Sequence, residues 1–230
     1  MQPFEPSQLQ PSSVIERHHH TRPYATVILS GAYEEAGDAG RFAVEPGDAL
    51  VHGAFSAHVD RISSRAAAVL DLPLPFGALT LAPRGRIADP DELVRLAGKD
   101  RRYAVRHFLD AFRPADAARG DLADCLAEAL RGGEPPAIGE WAAAAGRTRE
   151  HVSRAFGRLY GASPARYRCE ARARRAWRTI VSDDTSLAAV AADAGFADQA
   201  HMARAIRDLT GSPPSEWRKW KPTNFPDRRV

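Results

Sequence analysis

Ile138-Gly-Glu-Trp-Ala-Ala-Ala-Ala-Gly146-Arg-Thr-Arg-Glu-His-Val-Ser-Arg-Ala-Phe156 and Leu187-Ala-Ala-Val-Ala-Ala-Asp-Ala-Gly195-Phe-Ala-Asp-Gln-Ala-His-Met-Ala-Arg-Ala-Ile206 are one unit written twice. Each has a short apolar helix, a glycine where that helix must stop, and a second helix, the sequence form of a helix-turn-helix. Thr148 and Asp198 stand where N-caps are expected, so a side-chain oxygen can accept from the free N–H groups of the first turn.

Spacing divides the faces of each second helix. Val152, Phe156 and Leu159 fall at i, i+4 and i+7 and predict one buried stripe, which leaves Glu150, Ser153, Arg154 and Gly157 outside. Met202, Ile206 and Leu209 repeat the stripe, leaving Ala200, Ala203, Arg204 and Arg207 outside. Small side chains permit close approach to a major groove, and arginine can bind guanine bidentately. A solvated helix face is the bland alternative, and a tandem copy counts against it.

Between the copies runs Pro164-Ala-Arg-Tyr-Arg-Cys-Glu-Ala-Arg-Ala-Arg-Arg-Ala-Trp-Arg-Thr-Ile-Val-Ser182, with Ser163 as cap and no internal breaker. It predicts a helix about 27 Å long. Cys169, Ala173, Ala176, Trp177 and Ile180 make one apolar face, and Arg168, Arg172 and Arg175 line another. Adjacent major-groove segments lie ~34 Å apart, so a rod of this length suits two readers on successive turns.

With Ala165-Arg-Tyr167, Gly195-Phe196 and the closing Gly211-Ser-Pro-Pro-Ser-Glu-Trp217-Arg218, residues 119–222 resemble the DNA-binding domain of the AraC/XylS family of bacterial transcription regulators. The resemblance implies double-stranded DNA as partner, and RNA polymerase if the protein activates. It places base-facing positions at Arg149, Glu150, Ser153 and Arg154 in the first unit, and at Gln199, Ala200, His201, Ala203 and Arg204 in the second. Arg207, Arg172 and Arg175 join them as DNA-binding candidates, the last two toward backbone phosphate. Glu150 suits a cytosine amino group, and Ile206 departs from the family's usual Phe.

Charge is distributed accordingly. The chain is 230 residues long with net charge +3, yet residues 138–221 hold 15 Lys/Arg against 9 Asp/Glu, and the remainder 17 against 20. Only the basic part is expected near phosphate, in a salt-sensitive way. Cys125 and Cys169 match no metal or redox spacing and suit a reduced cytoplasm. The polar start resembles no cleavable signal, and no apolar run is long enough for a bilayer, so a cytoplasmic protein without a membrane partner is expected.

Residues 1–85 read as β structure. Tyr24–Ser30, Arg41–Val44, Ala49–His52, His58–Ile62 and Ala66–Leu72 are strand-like runs, with a turn at Pro46-Gly47-Asp48. Many short strands predict a sandwich or small barrel. The order His18-His-His20, Val27–Gly31, Pro46-Gly-Asp48, His58 resembles a cupin barrel, the usual sensor half of AraC/XylS regulators. That resemblance implies a small-molecule or metal effector and offers His18, His20 and His58 as ligands for Zn²⁺ or another divalent metal. The expected glutamate is missing from Thr21-Arg-Pro-Tyr-Ala-Thr26. Alternatively, the histidine run is an exposed loop and His58 a hydrogen-bonded barrel residue.

Residues 86–118 change to helical period, with Pro90–Ala97 and Arg101–Phe112 as a linker that pairs subunits as a homodimer, packs the two domains together, or covers the barrel. Leu122–Leu130 is a further amphipathic helix, and 223–230 a tail. The expected class is α+β multidomain: a cupin-like small β-barrel or jelly roll, a helical linker, and an all-α domain of two helix-turn-helix units joined by a long helix. No catalytic constellation has recognisable local context, so a regulator rather than an enzyme is expected. The rival reading is a metal-dependent cupin enzyme, an oxygenase or isomerase, with an appended DNA-binding domain.

Overall fold

The computed structural model describes residues 5–76, 81–115 and 120–220. The chain divides into two compact units, residues 1–124 with 159–161 and residues 125–158 with 162–230. The expected tail at 223–230 lies outside the described residues.

Two antiparallel sheets build the first unit. One runs in the order β1 (Ser7–Leu9), β8 (Ala67–Pro73), β3 (Tyr24–Ser30), β6 (Asp48–His52), β9 (Arg84–Arg86) and β10 (Arg113–Pro114); the other is β2 (Val14–His19), β7 (Ala57–Ile62), β4 (Tyr33–Gly37) and β5 (Gly40–Val44). The period of two along β3 explains the layering. Ala25 and Val27 join Val51, Leu70 and Leu72 in a core completed by Leu93 and Ala97 of α1 (Pro90–Lys99) and Ala104 and Phe108 of α2 (Arg101–Ala111). Ile28, Leu50 and Val69 instead meet Tyr33, Phe42, Val44 and Ile62 of the facing sheet.

Of the expected sandwich, small barrel or jelly roll, the structure has two antiparallel open sheets sharing a core, with α1 and α2 as a helical layer on one outer face. Asp89 accepts from the Glu92 N–H at 2.8 Å and starts α1 as an N-cap. Within the unit, Leu93, Ala97, Ala104 and Phe108 seat these helices on the sheet.

Helices make up the second unit: α3 (Leu122–Arg131), α4 (Ile138–Ala144), α5 (Arg149–Tyr160), α6 (Pro164–Ser182), α7 (Leu187–Asp193), α8 (Gln199–Thr210) and α9 (Pro214–Lys219). The long α6 has the expected bounds. Ser163 accepts from the Arg166 N–H, and Pro164 fits the first turn, where its missing N–H costs nothing. Its buried side, with Tyr167, Ala173, Ala176, Trp177 and Ile180, packs on α7, α8 and α9. Tyr167 meets Phe156 edge to face at 5.3 Å, and Trp177 meets Trp217 of α9 in the same way at 5.7 Å.

Candidate functional site

Two clusters of chemistry-bearing side chains stand out, one in each unit. In the β unit, His18 of β2 is the register partner of His58 of β7, so His18 and His19 belong to a strand and His20 follows directly after it, exposed. The Nε2 atoms of His18 and His20 approach to 3.1 Å. The rings of His18 and His58 meet edge to face at 4.4 Å. Each of the three histidines offers a ligand atom, all within 4.8 Å of one another. The structure thus brings together the histidines expected from the sequence.

Two further donors were not foreseen. Glu35 of β4 and His52 of β6 form a second triad with the same His58, their ligand atoms also within 4.8 Å of one another. Glu35 Oε2 lies 3.7 Å from His52 Nε2, and Asp60 Oδ2 lies 3.7 Å from His58 Nε2. Tyr24, in the stretch where a glutamate was sought, stacks on His52 at 4.4 Å and holds its hydroxyl 3.4 Å from His58 Nε2. Thr26 donates to Asp71 at 2.6 Å beside them.

Burial sets the protonation of this cluster. Desolvation first, then neighbouring imidazoles, depress His20 to about 4 and His52 to about 3, and His58 is depressed further for the same reasons. All three are neutral at neutral pH, with a ring lone pair free to coordinate. The carboxyls move the other way: burial and then the proximity of Asp60 and Asp71 raise Glu35, and burial and then Asp71 raise Asp60. His52 Nε2, His58 Nδ1 and Asp60 Oδ1 are buried without a hydrogen-bond partner. Each such atom costs roughly 1–3 kcal/mol if nothing satisfies it.

In the helical unit, both turns end a helix in the same way. The N–H of Arg147 donates to Ala142 O and that of Phe196 to Ala191 O, each at 2.9 Å, around left-handed glycines at Gly146 (φ 64°) and Gly195 (φ 77°). Thr148 accepts from His151 N and Asp198 from His201 N, so both expected caps form. Val152, Phe156, Met202, Ile206 and Leu209 are buried. Arg149, Glu150, Arg154, Gln199, Ala200, His201, Arg204 and Arg207 are exposed, and Ser153 and Ala203 half-buried. Residues 141–219 match the family described as a helix-turn-helix domain.

This segment is a helix-turn-helix domain.

No curated protein matches the chain. Among solved structures, it is similar to a transcriptional regulator with an AraC-type DNA-binding domain from Chromobacterium violaceum (23% identity over 41% of this chain and 86% of that one, TM-score 0.38). It is also similar to the DNA-binding domain of AdpA, solved with a target DNA (29% identity, 43% and 89%, TM-score 0.39). A third similarity is to a salicylate 1,2-dioxygenase from Pseudoaminobacter salicylatoxidans (16% identity, 29% and 20%, TM-score 0.27).

Within the helix-turn-helix domain, one expected outward residue points elsewhere. Arg175 donates to the carbonyls of Gly132 at 3.1 Å, Ala194 at 3.2 Å and Arg131 at 3.5 Å. Its guanidinium satisfies chain ends after α3 and α7, so the expected phosphate contact is corrected to an internal clamp. Arg172, one turn earlier, is half-buried beside Gly195. Among the described residues, no helix is long and apolar enough to cross a membrane.

Proposed function

We propose that the chain is a sequence-specific DNA-binding transcription regulator whose β unit takes an effector, a small molecule or a divalent cation, at the histidine cluster. The observation that carries this reading is the repeated turn: two second helices, each capped and buried on one side, leave Arg149, Arg154, Arg204 and Arg207 exposed on the other. Base contacts come from Arg149, Glu150, Ser153 and Arg154, and from Gln199, Ala200, His201, Ala203 and Arg204. His18, His20 and His58 offer ring nitrogens close enough together for one Zn²⁺ or similar metal.

In this reading the effector biases between states of the protein that engage DNA differently. A homodimer and RNA polymerase complete the assembly if the regulator activates, and the cytoplasm is its place of action. The test is nuclease protection of genomic fragments by the full chain, with competitor DNA present. A discrete protected stretch that survives competitor supports it; uniform protection, lost equally to any competitor, would leave only a non-specific binder.

A further inference from the structure

We infer that the β unit holds one first-row divalent cation at an inner position, through Glu35, His52 and His58, in place of the outer trio of histidines. The inference rests on the proposed effector role of this unit and names the donors that would carry it.

Three features favour the inner triad. First, its chemistry is better matched to a dication: two neutral imidazoles and a carboxylate bring one formal negative charge, whereas His18, His20 and His58 bring none. Second, all three inner donors are buried, with Glu35 and His52 each 4% exposed, while His20 faces solvent. Third, the inner triad contains groups that lack partners. His52 Nε2 has no hydrogen bond and lies 3.7 Å from Glu35 Oε2, and the buried His58 Nδ1 has none either. A bound cation would satisfy lone pairs that the fold otherwise leaves unmet.

The donors also come from well-fixed places. β4, β6 and β7 each contribute one, and β4 and β7 are hydrogen-bonded neighbours in register from Tyr33–Ile62 to Gly37–His58. A Cβ at Gly37 would lie 2.7 Å from the Cβ of His58, so glycine there leaves room for that ring's anchor. Asp60, next to Glu35 across the ladder, supplies a second carboxylate that can accept a hydrogen bond from a coordinated water.

The experiment titrates the chelator-treated full chain with Co²⁺ and reads ligand-field absorption together with bound metal per chain after gel filtration. The variants are Glu35→Gln, His52→Asn and the double replacement of His18 and His20 by Ala. The inference expects one equivalent bound by wild type, at least a tenfold weaker constant for Glu35→Gln and His52→Asn, and little change for the outer double variant. Circular dichroism of each metal-free variant guards against misfolding, and Glu35→Asp, which keeps the charge, should recover part of the affinity. Loss only in the outer variant would overturn the inner site yet keep a cation effector. No binding by wild type would overturn both, while protection of DNA by the same preparation would show the regulator reading unharmed.

Discussion

The guanidinium of Arg175 donates to the carbonyl of Ala194 at 3.2 Å, joining the middle of α6 to the end of α7. The same group reaches Gly132 O at 3.1 Å. Removing it leaves these carbonyls without that donor, so Arg175→Ala should lower unfolding free energy by about 1–3 kcal/mol. The slope of log affinity against log salt should stay as in wild type, whereas Arg172→Ala should flatten it by about 1. Urea unfolding and binding isotherms at several salt concentrations check both arms; a flattened slope in the Arg175 variant would return that side chain to the phosphate-facing set.

Arg204 is exposed on the face of α8 opposite Met202, Ile206 and Leu209. If it reads a base, Arg204→Ala should weaken binding to the preferred site by ~1–3 kcal/mol and relax selectivity at one base pair. Selection from a randomised site library measures this. Equal loss on every sequence would reduce Arg204 to a backbone contact.

The two left-handed turns make a matched pair. A Cβ at Gly146 meets nothing within 4 Å, so Gly146→Ala should cost only its backbone strain, about 1–2 kcal/mol. At Gly195 the added Cβ would sit 3.4 Å from Cζ of Arg172, an ordinary van der Waals contact with a flexible side chain, so Gly195→Ala should cost about the same strain. Chemical denaturation should give similar losses for the two variants; a much larger loss at Gly195 would mean that the arginine cannot yield.

Acidity should act on the metal-free β unit with opposing signs. Glu35 and Asp60 keep protons that the unfolded chain releases, so between about 4 and about 7, the raised value for Asp60, their contribution to stability falls as pH rises. His20 and His52, at about 4 and about 3, hold fewer protons than the unfolded chain below ~6.5. Their contribution therefore grows with pH up to that point and is lost as pH falls. Glu35→Gln removes part of the first effect, so its stability relative to wild type should climb between pH 5 and about 7. Unfolding curves at four pH values test this; a constant difference would mean that Glu35 titrates normally.

Much of the helical unit was legible because local rules fix it. The bounds of α6, the Thr148 and Asp198 caps and both glycine stops follow from residue type and spacing alone. Arg175 was misread because its target carbonyls lie 43 and 19 residues away, and periodicity carries no such information. The histidine trio was found through its own spacing. Glu35 was missed because Tyr33-Glu-Glu-Ala-Gly37 lacks the β-branched residues that mark a strand. The Asp38-Ala39-Gly40 turn that follows was the available hint, since it closes the β4–β5 hairpin.

The Trp177–Trp217 pair has a practical consequence. All four tryptophans, at 141, 177, 217 and 220, belong to the helical unit, and the β unit has none. Intrinsic emission excited at the red edge is thus a reporter confined to one half of the molecule. A ligand that enters among the histidines and quenches or shifts that light must have had its arrival relayed to the half that bears the indoles.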